Sequence, residues 1–226
     1  KWFFFFFSMV KNRDDNIFNK IGGMFGSFYR FLKKDTWSSF IVTLILAFII
    51  IKYVFFPLLS FVTGTALPLV IVESCSMYHS DGIEEIFEEQ CDNIRFNKSL
   101  DCEQSIYHRY GVDFEETEDW GFKNGLNKGD IVFVLGADIK DLDVGDVIIF
   151  TSNGTAEHPI IHRIINISDE GITTKGDNNS VLLEAEKDID SGRIIGRAVF
   201  RIPYIGWAKL IFFEHLKPDS KKGLCS

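Results

Sequence analysis

LPLVIVESCSMYHS, residues 67–80, decides how the chain folds. Its first half is an apolar, β-branched run of strand length behind a proline, and its second half is polar and ends that strand. Runs of the same kind recur downstream: GDIVFVLG (129–136), GDVIIF (145–150), PIIHRIINI (159–167), GITTKGD (171–177) and IIGRAVFRIP (194–203). Gly, Asp, Pro or Asn bounds each of them, so a mainly β domain is predicted. Between the first two runs lies an acidic stretch, 78–127, with thirteen Asp and Glu against four Lys and Arg. Its opening spaces Ile83, Phe87, Cys91 and Ile94 as on a helix face, which predicts a largely helical insertion that caps the β core and turns a solvated face outward.

Upstream, WSSFIVTLILAFIIIKYVFFPLLSFV (37–62) carries one charge in 26 residues, where roughly 20 apolar residues suffice to cross a bilayer. Residues 37–63 are therefore expected to form one transmembrane helix, with Lys52 snorkelling and Pro57 a tolerated kink. Lys11, Arg13, Lys20, Arg30, Lys33 and Lys34 precede it, while Glu73 and then the acidic stretch follow. The bias places residues 1–36 in the cytoplasm and the β domain, 64–216, on the far side of a cell membrane. Lys1, Trp2 and five Phe stand ahead of Met9, and translation is expected to begin at Met9, which makes 1–8 a gene-model artefact. IPYIGWAKLIFFEHL (202–216) is too short to span. It either lies along the membrane surface, with Trp207 and Tyr204 at the headgroups, or packs on the β core. Residues 217–226 read as a frayed tail.

The length suits one buried domain plus an anchor. A formal charge of −8 and a pI near 5.2 argue against nucleic acid, whose binders cluster Lys and Arg. Cys91 and Cys102 read either as a short disulfide staple or as two buried thiols. Cys75 and Cys225 are isolated, and no Cys or His pair has zinc-ligand spacing, so neither metal nor cofactor is expected. Asn97, Asn153, Asn166 and Asn178 stand in N-x-S/T triplets, which chance also produces.

Ser74 and Ser76 stand at the exit of the first strand, where a nucleophile is held firmly yet reachable. A serine hydroxyl needs a base, and His158 and His162 both fall in EHPIIHRIINI (157–167). Strand alternation puts the two on one face, with His162 the better candidate. His79, His108 and His215 sit in polar contexts expected to be exposed. Asp177 in TKGDNN (174–179) is either a turn residue or the carboxylate that orients the base.

Taken in order, the anchor, SCSM, KGD, PIIHR, TKGDNN and IIGRAVFRIPYIGW resemble the membrane signal peptidases of the S26 family over 37–207. The histidine in IIHRI is similar to the archaeal and endoplasmic-reticulum branch, since bacterial-type members have lysine there. The resemblance implies a signal peptidase-like β fold, a serine endopeptidase, Ser76 as nucleophile, His162 as base, Asp177 in the acidic box, and an oxyanion hole from Ser74 and the Ser76 amide. Two positions depart from the family. Tyr78 and His79 stand where a proline is usual, and Leu183 and Glu184 stand where a second Asp orients the histidine. Glu184 substitutes, or a shifted loop brings in Glu186 or Asp188, or Asp177 acts alone.

The implied partners are signal peptides of translocated pre-proteins, bound as an added strand, together with the lipid bilayer and the protein translocation channel. A membrane serine protease with a restricted substrate set and an inactive membrane-tethered β module are the rival readings. A LexA-like self-cleaving regulator is disfavoured by the membrane span and by the lack of a recognisable DNA-binding helix pair.

Overall fold

The computed structural model describes residues 23, 26–27, 29–79, 82–83, 106–152, 158–213, 216 and 222–225. The chain divides into two compact units, Lys1–Leu58 and Leu59–Ser226.

The first unit carries most of helix α1, Trp37–Thr63, whose 27 residues include an 18-residue stretch of mean hydropathy 2.5 and are long and apolar enough to cross a membrane. Thr36 caps it, accepting from the Ser39 amide at 3.4 Å. Its large side chains, among them Phe48 and Val54, are exposed, as lipid contact requires. Just before Pro57 the helix widens into a π-turn over Ile51–Phe55, closed by the Phe56 amide on the Ile51 carbonyl. Pro57 has no N–H and its ring crowds the carbonyl four residues back, and a wider turn relieves both. Lys52 lies over the rings of Phe48 and Tyr53 at 5.8 and 5.3 Å.

The second unit is a six-stranded sheet made of β1 (Leu69–Ile71), β2 (Ile131–Leu135), β3 (Val147–Phe150), β4 (Ile160–Ser168), β5 (Gly171–Lys175) and β6 (Ile194–Ile202). The order is β1-β2-β6-β3-β4-β5, and every neighbouring pair is antiparallel. All six expected strands form. β3 lies mid-sheet and is buried on both faces, which is why VIIF shows no polar alternation. Val147 and Ile149 enter a cluster with Val72, Met77, Leu126 and Val132. Ile148 and Phe150 enter another with Leu142, Ile164, Ile172 and Ile189.

In β4 a bulge skips Ile165 between the pairs Ile164↔Thr174 and Asn166↔Thr173. An extra residue reverses the alternation there. Ile164 and Ile167, three residues apart, therefore both pack in the β3 cluster, while Ile165 packs with Ile83, Ile106, Tyr107 and Val112.

Of the acidic insertion, the described part holds a short helix α2 (Ile106–Arg109) and a 3-10 turn, Phe114–Asp119. Phe87, Cys91, Ile94 and Cys102 lie outside the described residues. Helix α3, Trp207–Phe213, buries one side against the β unit and leaves the other exposed. Leu210 is buried and the Trp207 indole donates to the Lys128 carbonyl at 2.9 Å, while Ile211, Phe212 and Phe213 stay exposed.

Candidate active site

β1 delivers the serines. Its pairing continues one residue past the strand, where the Val72 amide donates to Asp130 O at 2.9 Å, and the chain then turns. The Tyr78 amide closes that turn on Cys75 O at 3.1 Å, and Met77 drops its side chain into the core at 1% exposure. Burying Met77 fixes the turn from below and leaves Ser76 half-buried above it.

β4 delivers the histidine, opposite Ile148 on β3. His162 Nε2 lies 3.0 Å from Ser76 Oγ, within reach for proton transfer. On the other side of the ring, Nδ1 lies 2.5 Å from Glu186 Oε1. The approach is off the N–H axis, so the pair is in ion-pair range without an aligned hydrogen bond. A carboxylate at Nδ1 favours the tautomer that leaves Nε2 free to accept a proton.

Glu186 ends a 3-10 turn, Glu184–Glu186, and is fully buried. Its Oε1 also accepts from the Gly176 amide at 2.9 Å, and its Oε2 accepts from the Leu183 amide. The other candidates lie elsewhere. Glu184 is exposed and pairs with Lys187 at 2.7 Å, and Asp188 is exposed at φ +48.

Asp177 does not face His162. Arg163 grips its two oxygens through Nε at 3.0 and 3.2 Å and Nη2 at 2.8 Å, the Tyr107 hydroxyl donates at 3.0 Å, and His79 Nε2 lies 3.4 Å away. Burial alone would raise its carboxyl. The Arg163 charge and the bonds from His79 and Arg163 offset this and hold it well below the usual carboxylate range. Burial, then the Asp177 charge, pushes the Tyr107 hydroxyl well above its ordinary value.

The backbone beside Asp177 does touch the site. The Asn178 amide donates to Ser76 O at 2.8 Å and Asn178 Nδ2 donates to Cys75 O at 3.1 Å. Gly176 lies so close that a Cβ there would stand 2.7 Å from His162 Nε2. Lys175 is buried and donates to the carbonyls of Gly176 and Asp177, each at 3.1 Å. Burial pushes its ammonium down to about 8 against the pull of Asp177 and Glu186.

Several expectations are corrected. His158 precedes β4 and is exposed, so the two histidines do not share a strand face. His79 is buried, because the Met77 turn carries the chain inward and Asp177 supplies a partner for the ring. Ser74 Oγ lies 3.2 Å from Ser76 Oγ. Cys75 and Cys225, isolated in sequence, form a disulfide, and the Lys128 ammonium holds Gly223 O at 2.9 Å. Residues 222–225 are thus tied down at two points, where a frayed tail was expected. Arg163, Tyr107 and Lys175 were not read as site residues. Arg163 stands in the His-Arg box, but Tyr107 carries no sequence signal linking it to Asp177.

No family model matches the chain. The signal peptidase complex catalytic subunit SEC11 of Pyricularia oryzae is 32% identical over 100 residues, covering 40% of this chain and 58% of that protein. The subunit SEC11C of Homo sapiens is 29% identical over 102 residues, covering 41% of this chain and 53% of that protein. Over about 40% of its length the chain is similar to signal peptidase catalytic subunits. It spans little more than half the length of the curated relatives it matches. The geometry adds which carboxylate stands behind the histidine of this chain: Glu186.

Proposed function

We propose that this protein is a membrane-bound serine endopeptidase that removes signal peptides from exported pre-proteins. The carrying observation is the line Ser76 Oγ, His162 Nε2, His162 Nδ1, Glu186 Oε1, with gaps of 3.0 and 2.5 Å. Ser76 Oγ attacks the scissile carbonyl as His162 takes its proton, and His162 returns that proton to the leaving amine. Water then attacks the acyl-enzyme by the same route and releases the new carboxyl end. Glu186 keeps the imidazole in its working tautomer and stabilises the imidazolium. Ser74 and the Ser76 amide are assigned to the developing oxyanion.

Among the described residues β1 ends the sheet order, and its one pairing is to β2. Val72 bonds toward Asp130, so by strand alternation Leu69 and Ile71 turn their N–H and C=O groups to the open edge. An extended substrate adds there as a strand leading to Ser76. The relatives are named as subunits of a signal peptidase complex, which supports assembly with further subunits. We place residues 1–36 in the cytoplasm and the β unit on the opposite face of the membrane, where the translocation channel delivers substrate.

The test is cleavage of a model pre-protein in detergent-solubilised membranes. Ser76→Ala and His162→Ala are expected to lose about 10³-fold or more in rate. Undiminished cleavage by Ser76→Ala would overturn the assignment, and binding without cleavage by the wild type would favour an inactive β module.

A further inference from the structure

We propose that Cys225 is a positioning residue for Ser76: bonded to Cys75, it lets residues 223–225 hold the nucleophile turn, so that turnover requires the disulfide. This rests on the reading of Ser76 as nucleophile.

Cys75 is the residue between the two site serines, and its partner comes from 150 positions away with a Cα–Cα distance of 5.5 Å. The rest of the turn is held by hydrogen bonds to its carbonyls. Cys75 O accepts from Tyr78 N and Asn178 Nδ2, Ser76 O from Asn178 N, and Met77 O from Leu126 N. The disulfide is the one covalent restraint on the turn among the described residues.

The other end of that restraint is itself anchored. Gly223 O accepts from the buried Lys128 ammonium at 2.9 Å. That ammonium lies 5.4 Å from the Trp207 ring centroid, and the Trp207 indole donates back to Lys128 O at 2.9 Å. Lys209 on α3 pairs with Glu73 at 3.2 Å, three residues before Ser76. Trp207, Lys209, Gly223 and Cys225 therefore hold both the approach to the nucleophile and the residue beside it. A nucleophile misplaced by about 1 Å loses on the order of 10²-fold in rate.

Cys75 and Cys225 are half-buried rather than sealed in the core, so a small dithiol can reach them. A thiolate attacks one sulfur and forms a mixed disulfide, and the second thiol resolves it. Cys75 and Cys225 leave as thiols and the reagent leaves as its cyclic disulfide.

Three measurements decide the matter. Peptide mapping of the full-length protein without reductant should recover Cys75 linked to Cys225, and linkage of either to Cys91 or Cys102 would overturn the proposal. Cleavage kinetics should show kcat about 10- to 100-fold lower for Cys225→Ser, and for wild type reduced by dithiothreitol after folding, with KM within about twofold. Melting curves must place both above the assay temperature. Wild-type kcat in either, with the link mapped, would overturn it. Should the wild type prove inactive, the Ser76 reading fails on its own. Hydrogen exchange at the Asn178 amide then decides: faster exchange on reduction supports positioning by Cys225, and unchanged exchange sinks it.

Discussion

Glu186, rather than Asp177, stands behind His162, its Oε1 2.5 Å from the ring Nδ1. Glu186→Gln keeps the shape and removes the charge that favours the working tautomer. We expect kcat to fall about 10³- to 10⁴-fold with little change in melting temperature. Glu184→Gln and Asp188→Asn, both at exposed sites, should leave kcat near wild type in the same assay. A silent Glu186→Gln would mean that the carboxylate does not orient the base.

Asp177 should behave differently. Removing it strands Arg163 as a buried unpaired charge, which costs about 3–5 kcal/mol. Asp177→Ala is thus predicted to lower stability first in denaturant melts, with activity lost in proportion to unfolding. Because its folded-state pKa lies far below the unfolded value of about 4, its stabilisation is complete above pH ~4. It drains away as pH falls from there. In Asp177→Ala the acid limb of a stability-versus-pH curve should flatten.

Lys175 is shifted downward as well, through burial of a cation, so its effect has the same sign but falls in the alkaline range. Its pKa is pushed down to about 8 in the fold, so between there and about 10.4 the unfolded chain binds more protons than the folded one. Stability should rise with pH across that window. Lys175→Met should remove the rise, read by urea melts at several pH values. A slope unchanged in the variant would show that the ammonium is not the titrating group.

Tyr107→Phe deletes one hydrogen bond to the Asp177 carboxylate and should cost roughly 1.5–3 kcal/mol. It does so without touching Ser76 or His162, so kcat measured well below the melting temperature should stay within a few-fold of wild type.

Gly176→Ala is a steric test of the His162 position. The new methyl group would meet Asn179 Nδ2 at 2.5 Å and His162 Nε2 at 2.7 Å. Shifting the ring off Ser76 should reduce kcat about 10²-fold, and an unaffected rate would mean that the loop yields instead.

What the sequence by itself determined was whatever depends on local pattern. Six β-branched runs between turn residues specify six strands, because side-chain alternation and turn chemistry act over a few residues. The apolar run at 37–63 specifies a helix able to cross a membrane, because length and hydropathy set that property. Ser76 and His162 were legible because each sits in a short box at the end or middle of a strand. The choice of acid was left to the tertiary structure: Asp177, Glu184, Glu186 and Asp188 lie within twelve residues of one another. Only the 3-10 turn at Glu184–Glu186 turns one of them inward toward β4. The bulge at Ile165, the burial of His79 against Asp177 and the pairing of Cys75 with Cys225 were decided in the same way. Each joins groups that are adjacent only once the sheet has closed, and no local pattern encodes a contact between residues 98 or 150 positions apart.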